Sequence, residues 1–422
     1  MIRVLAAIVA PPHLSVSGAG RAGEQLSIAL AEHCEVTIAS MMAPQTAAVD
    51  DSRVKRAAVK VTLPPPLSWL RLPNKYRTLF YRSDIPQLIR SGRFDLVHLH
   101  NPMPALELAR IAYACRQAGV PYVISTHGFN EIANGARIYG FGLLRRLAWK
   151  ALVTMPVSFA VRRASAIFAL SPADKDIARQ MGFAGEALAI VPNGVPAARP
   201  ADASGDAALL GRLGLPERRA GQITCMFLAN HTPNKGLPVL LQAFSQLKCP
   251  YLLIVGGEKR PEIDYGLAAR QHRPDQQIVI TGRISDDEVA ALFRRSDLFV
   301  FPTLADTFPL AILEAMSYGL PVIASHVGGI PYQLDDKSGA LVEPGDAGAL
   351  VDTVTRFAGM PAGLQEMGRH AQARVATQFT WKSAASRAFT EYERLLALPP
   401  PVPSRARADR DGASPVQRGT LA

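Results

Sequence analysis

Ten short apolar runs constrain what this 422-residue chain can fold into. In the first half they read "IRVLAAIVA", "EVTIAS", "FDLVHLH", "PYVIST" and "SAIFAL". In the second they read "ITCMFLAN", "YLLIVGG", "QQIVITG", "DLFVFPT" and "PVIASHV". Their apolar character is continuous, as expected of parallel strands covered on both faces. Each run leads into a Gly/Pro/Asn turn and then an amphipathic stretch of helical period. Strand and helix alternating in this way predict an α/β chain of two doubly wound domains. The length is consistent with more than one domain. A Pro/Ala/Gly-rich shift over residues 191–207, "VPNGVPAARPADASGDA", marks the boundary. Residues 398–422 are poor in apolar groups and are expected to be disordered.

Charge is unevenly spread. Residues 1–200 hold 23 Lys and Arg against 12 Asp and Glu, so the whole net charge of +11 lies there. That asymmetry suits an anionic substrate or surface facing the first half, or a solvated basic face. Cys34, Cys115, Cys225 and Cys249 form no C-x-x-C pair and no cluster with His at metal spacing, so they are expected to be reduced thiols acting as small apolar residues. "VLAAIVA" is short and ends in Pro-Pro with no cleavage site after it, and Ala151–Val161 is too short to cross a bilayer and is broken by Pro156. The expectation is a cytoplasmic chain, with a peripheral position at the inner face of a membrane left open.

"GAGRAG" is a literal G-x-G-x-x-G at Gly18, Gly20 and Gly23. It fails as a nicotinamide fingerprint on two counts. "PPHLSVS" separates it from the strand, and the next strand ends in Ser40 and Met41 where an acid would hold a ribose. Two readings survive: glycines that let backbone approach a phosphate near a helix start, or a first loop with helix-packing glycines.

Residues 297–334, "DLFVFPTLADTFPLAILEAMSYGLPVIASHVGGIPYQL", carry the most chemistry. A strand ends at Thr303. Thr307 is placed to cap a helix with Pro309 near its first turn. The free N–H groups of Phe308 to Ile312 would then form an anion site at a strand's carboxyl edge. Asp306 lies just before that helix and Glu314 about a turn and a half inside it. Carboxylates so placed beside a phosphate site suit sugar and ribose hydroxyls.

At this point the chain resembles a family. "ADTFPLAILEAMSYGLPVIAS" is similar to the E-x7-E signature of retaining glycosyltransferases of the GT-B fold, family-4 type (glycosyl transferases group 1), with Asp306 in place of the first Glu. "NKGLPVLLQAF", "ITGRISDDEVAALFRRSDLFVFPT", "DLVHLHNP", "STHGF", "VPNGV" and "FTWKSAASRAFTEYERLL" resemble further landmarks, so the likeness covers most of the chain. It implies two Rossmann-like domains facing a central cleft: residues 1–196 binding the acceptor, residues 197–379 binding a nucleotide-diphosphate sugar, and a closing helix at about 380–397 packed back on the first domain. It implies transfer with retention to a glycan or lipid-linked acceptor, as in polysaccharide precursors. By the same likeness Glu314 resembles the ribose-binding acid, Asp306 the acid contacting the donor sugar, and Lys235 the diphosphate-binding lysine. Gly18 and Gly20 resemble the loop over the diphosphate, and His127 the histidine facing the donor sugar. Gly282 and Arg283 lie where backbone usually contacts the base, and Phe308, Pro309 and Leu310 open the anion-binding helix. The family usually has Arg five residues before the lysine; here Asn230 stands there, with no guanidinium fork to offer. Lys235 or a first-domain arginine such as Arg21 would have to supply the charge.

Other features stay open as functional or structural. His98 and His100 alternate on "DLVHLH" and are either site residues or packing at the cleft edge. The D-x-D pairs Asp174/Asp176 and Asp409/Asp411 do not suggest a metal site, and a leaving diphosphate stabilised by fixed donors needs none, so no metal or other cofactor is expected. The strip from Arg137 to Arg163 sets Arg145, Arg146, Lys150, Arg162 and Arg163 among Phe141, Leu143, Leu144, Leu147, Trp149, Leu152 and Phe159. It suits an anionic membrane surface or ordinary core helices with snorkelling bases. A same-fold enzyme such as a nucleotide-sugar epimerase and a non-catalytic basic binding module remain alternatives. Nucleic acid is not an expected partner, because aromatic-basic RNA motifs are missing.

Overall fold

The computed structural model of the chain describes residues 1–13, 18–42, 52–65, 73–266 and 273–397. The tail 398–422, with Asp409 and Asp411, lies outside these residues. The first half builds β1 (Arg3–Ile8), β2 (Glu35–Ser40) and β3 (Lys55–Ala57). A short antiparallel pair follows, β4 (Val61–Thr62) with β5 (Arg82–Ser83), and then β6 (Leu96–His100), β7 (Tyr122–Ser125), β8 (Ala166–Ala169) and β9 (Leu188–Ile190). The main sheet has the order β3-β2-β1-β6-β7-β8-β9, with every pairing parallel. The second half builds β10 (Ile223–Leu228), β11 (Tyr251–Gly256), β12 (Gln276–Gly282), β13 (Leu298–Phe301), β14 (Val322–Ser325) and β15 (Gly339–Val342). Their order is β12-β11-β10-β13-β14-β15, again all parallel. The fold is therefore GT-B: two Rossmann-like α/β units.

Most of the continuous apolar runs become strands hidden on both faces, whereas β2 and the edge strand β12 are only partly buried. β6, β7, β8, β11, β13 and β14 are buried at every position. In each sheet the strand order reverses once, between β1 and β6 and between β10 and β13. Such switch points leave a crevice at the carboxyl ends of the strands, and the two crevices face one another.

The chain passes between the halves twice, and the two passages touch. Val195 donates its amide to the Phe379 carbonyl at 2.9 Å. A Cβ on Gly194 would sit 2.2 Å from the Trp381 nitrogen, so no side chain fits there. Beyond this crossing, the helix Trp381–Ala397 leaves the second half and lies on the first sheet, against the helix Gly18–Leu30. Its Ala384, Ala385, Ala388 and Tyr392 join the core built by Val4, Ala6 and Ile8 of β1.

His98 and His100 belong to this core and not to the cleft edge. His98 is fully buried, with Nδ1 2.6 Å from the Tyr392 hydroxyl and Nε2 2.8 Å from Ser125 Oγ. His100 is equally buried, its ring 3.9 Å from that of His98. Gly23 is needed beside it, because a Cβ would meet the imidazole at 2.9 Å. The four cysteines are free thiols, three of them buried. Asp174 closes a capping box with Ser171 at the start of the helix Pro172–Gln180.

Burial holds these imidazoles neutral. It pulls His98 down to about 3, aided by His127, and His100 well below 6.5, with His98 and His127 adding to the effect. An unfolded chain binds protons at these sites near pH 6.5, whereas the folded chain does not. Their contribution to stability is therefore complete above about pH 6.5 and is lost as pH falls toward the folded values. Thermal melts of the full chain should show a transition temperature falling steadily from pH 6.5 to 4.5. His98→Gln should flatten that slope, and an equal slope in the variant would contradict the assignment.

Candidate active site

The facing crevices enclose a cleft of about 730 Å³. Gly18, Arg21 and His127 line it from the first half. Asn230, Lys235, Arg283, Asp306, Phe308, Pro309, Leu310 and Glu314 line it from the second. Gly20 and Gly282 are not part of the lining. Gly20 is buried in the first turn of the helix Gly18–Leu30, and Gly282 closes β12, its carbonyl accepting from the Gly257 amide at 2.9 Å. Most residues expected from sequence to serve one site are thus brought to one place, while His98 and His100 lie behind it.

Lys235 is held by its backbone. After β10 a 3-10 turn, Pro233–Lys235, runs into Gly236 in the left-handed region at φ 74°. The Asn234 carbonyl accepts from the Leu304 amide at 2.7 Å and from the Thr303 hydroxyl at 2.9 Å, and the Asn234 side-chain amide donates to the Ala305 carbonyl at 3.2 Å. These bonds knit the loop after β10 to the loop after β13. They set Lys235 Nζ 2.5 Å from Asp306 Oδ2. Burial alone would lower the amine, and the carboxylates of Asp306 and Glu131 more than offset it, so Lys235 stays a cation.

The helix behind the anion site begins two residues later than a Thr307 cap would place it. It spans Leu310–Ser317, with Pro309 in extended conformation before it and no side-chain cap on its first turn. Thr307 does not cap it. Its hydroxyl instead donates across the cleft to Glu131 Oε2 at 3.0 Å. The N–H groups of the first helical turn, which have no intrahelical partners, are thereby left for a ligand. Glu314 is half-buried one turn in; burial raises its carboxyl, and the Arg21 guanidinium opposes the rise.

From the first half, His127 follows β7 and precedes Gly128, whose φ of 73° starts the helix Phe129–Ile138. His127 is 3% exposed, its Nε2 has no partner, and burial lowers it to about 4, so it is a neutral imidazole. The first turn of that helix brings Asn130 and Glu131 to the same edge. Asn130 Nδ2 donates to the Asp306 carbonyl at 3.3 Å. Burial raises Glu131, the Asp306 carboxylate raises it further, and Lys235 opposes both.

Sequence reasoning missed Glu131. "HGFNE" places it one turn after a strand-end histidine, which was the available signal. It missed the acidic partners of the cleft cations as well. Arg21 pairs with Asp286 at 3.5 Å across the opening, Arg199 with Asp287, and Arg283 with Glu258 at 3.2 Å. Asn230 is exposed in the cleft wall, and no guanidinium stands in its place. Among the described residues no three His, Cys, Asp or Glu side chains converge as a metal site.

Two family models match the chain: "Glycosyltransferase Family 4" over residues 16–199 and "Glycosyl transferases group 1" over residues 222–359. The chain is 26% identical over 325 residues to the MMP alpha-(1->4)-mannosyltransferase of Mycolicibacterium hassiacum, covering 73% of this chain and 72% of that protein. It is 31% identical over 314 residues to the D-inositol 3-phosphate glycosyltransferase of Streptomyces avermitilis, covering 70% of this chain and 64% of that protein. Among solved structures, the sucrose-phosphate synthase of Thermosynechococcus elongatus superposes with a TM-score of 0.70 at 20% identity, covering 94% of this chain and 100% of that one. HepE from Anabaena in complex with UDP-glucose superposes with a TM-score of 0.69 at 18% identity, covering 94% of this chain and 100% of that one.

The loop that presents Lys235 generates a test. A Cβ at Gly236 would lie 1.7 Å from the Pro302 carbonyl oxygen, on a backbone that side chains rarely adopt. Gly236→Ala should therefore lower stability by on the order of 1–3 kcal/mol in denaturant unfolding. It should also weaken any anion bound at Lys235, and an unchanged unfolding midpoint would contradict the geometry.

Proposed function

The chain belongs to the group 1 glycosyltransferases, and from that premise we propose that it moves a sugar from a nucleoside-diphosphate sugar to an acceptor hydroxyl with the anomeric configuration retained. One observation carries the reading: Lys235, the uncapped start of the helix Leu310–Ser317 and Glu314 converge on one cleft whose opposite wall holds Gly18 and His127. In this scheme Glu314 takes the ribose hydroxyls. The diphosphate lies between Lys235, the amides of Phe308 and Leu310, and the Gly18 end of the first helix. Arg21, released from Asp286, supplies the charge that Asn230 does not. The bond from anomeric carbon to diphosphate oxygen breaks with its electron pair on the leaving group. The acceptor oxygen bonds to the same carbon, and its proton departs with the diphosphate. Neutral His127 adds no positive charge to the oxocarbenium-like centre. Fixed donors of this kind stabilise a developing diphosphate without a metal ion. The glycosyltransferase names of the relatives, and the UDP-glucose bound by HepE, support the donor class.

Glu314→Ala should leave the melting temperature nearly unchanged and weaken nucleoside-diphosphate binding by about 1.5–3 kcal/mol, the cost of losing hydrogen bonds to a charged acceptor. Calorimetry measures the affinity, and release of nucleoside diphosphate with acceptor and excess chelator measures transfer. Unchanged affinity, or activity abolished by chelator and restored by a divalent ion, would overturn the corresponding part of the scheme.

The acceptor side of the proposal rests on the strip after His127. In the helix Leu143–Trp149, Leu143, Leu144 and Leu147 are 74%, 82% and 56% exposed, beside exposed Arg145, Arg146 and Lys150. The inner face is ordinary core: Trp149 donates to the Ile132 carbonyl at 3.2 Å, and Val153 and Val157 are buried. No helix among the described residues is long and apolar enough to cross a membrane. A face of large apolar groups ringed by bases suits the interface of an anionic bilayer, and we read it as the route to a lipid-linked acceptor. Each base contributes on the order of 1 kcal/mol there, screened by salt. Sedimentation with anionic vesicles should show binding that falls but does not vanish as salt rises, and that drops further in the Arg145→Glu, Arg146→Glu, Lys150→Glu triple variant. No binding at low salt would favour a soluble acceptor.

A further inference from the structure

We infer that Glu131, from the first half, completes a two-carboxylate seat for hydroxyl groups of the transferred sugar beside Asp306, the acid that the family resemblance already implies contacts it, and that this seat selects neutral hexosyl donors over uronic acid donors. The inference rests on the nucleotide-sugar reading above and names the sugar class.

The argument is one of charge balance. Two carboxylates from opposite walls flank one cation: Lys235 Nζ sits 2.5 Å from Asp306 Oδ2, and Glu131 lines the same cleft, near enough to favour the charged amine though not paired with it. A diphosphate that engages Lys235 draws it away from Asp306. The two acids are then left facing the same end of the cleft without their counter-ion. Carboxylates in a half-buried site need hydrogen-bond donors in compensation. Glu131 already shows which kind it accepts, because its Oε2 takes the Thr307 hydroxyl at 3.0 Å, an aliphatic alcohol like those of a sugar ring. A second, independent sign of a ligand is His127. It lines the same cleft, is 3% exposed, and has an Nε2 with no partner. Neutral hexosyl groups bring several hydroxyl donors to this corner. A uronic acid brings a third carboxylate beside two others, which the field rejects.

The test is calorimetry on the full chain with two probe sets: UDP, UDP-glucose and UDP-glucuronate, and GDP, GDP-mannose and GDP-mannuronate. Wild type should bind the neutral sugar nucleotide of its preferred base at least about tenfold more tightly than the anionic one. Glu131→Gln keeps the shape and one acceptor. It should leave the parent diphosphate within about twofold, weaken the neutral donor, and shrink the neutral-to-anionic ratio severalfold. Asp306→Asn should shrink the same ratio while tightening the parent diphosphate, because Lys235 is freed. An unchanged ratio in both variants, a wild-type preference for the uronate, or a loss of parent diphosphate equal to that of the sugar nucleotide would overturn the seat. Failure of wild type to bind any of the six probes would instead overturn the donor reading, and the seat with it.

Discussion

A parallel sheet buried on both faces offers chemistry only at its ends, and this constraint organises the molecule. Each half covers its strands with helices, so polar groups with work to do collect where the strands finish and the strand order reverses. The halves face each other at those ends. Three of the cleft residues follow a strand terminus closely: His127 after β7, Lys235 after β10, Asp306 after β13. The hydrogen bonds from Asn234 to Thr303, Leu304 and Ala305 convert that proximity into fixed geometry. Without them the Lys235–Asp306 pair would be a flexible surface contact, worth little.

Among the described residues, each of the four cations that line the cleft is matched by a carboxylate. Lys235 is matched by Asp306, Arg21 by Asp286, Arg199 by Asp287 and Arg283 by Glu258. The basic excess of the first half is therefore not stored in the cleft; much of it lies on outward faces such as Arg145, Arg146 and Lys150. In the proposed scheme an anionic donor enters by exchanging partners with these carboxylates, which gives the acids on the walls a part in selecting it.

The architecture was legible in the sequence because apolar runs, turn residues and helical periods are local signals, and each one points to the same fold. The second-half site was legible for a related reason: Lys235, Asp306 and Glu314 lie in short segments with a readable strand-turn-helix context. Glu131 was not legible. Its importance comes from a contact to Thr307 176 positions away, and no local pattern marks it. The same long-range contact explains why Thr307 looked like a cap and is not one. His98 and His100 were ambiguous on a strand whose both faces are buried, where alternation no longer says which side meets solvent. Their place was settled by Tyr392, nearly 300 residues later.

The closing helix has a consequence for how such chains can be recombined. Trp381–Ala397 is continuous with the second half but supplies Ala384, Ala385, Ala388 and Tyr392 to the core of the first. A cut at the sequence midpoint thus severs the first sheet from part of its own interior and leaves His98 without its phenol partner. Exchange of the first half between related enzymes therefore needs a discontinuous graft. The unit that travels is the first sheet together with the last helix, joined through the adjacent crossings at Val195 and Phe379, while the segment between them stays behind as an insert.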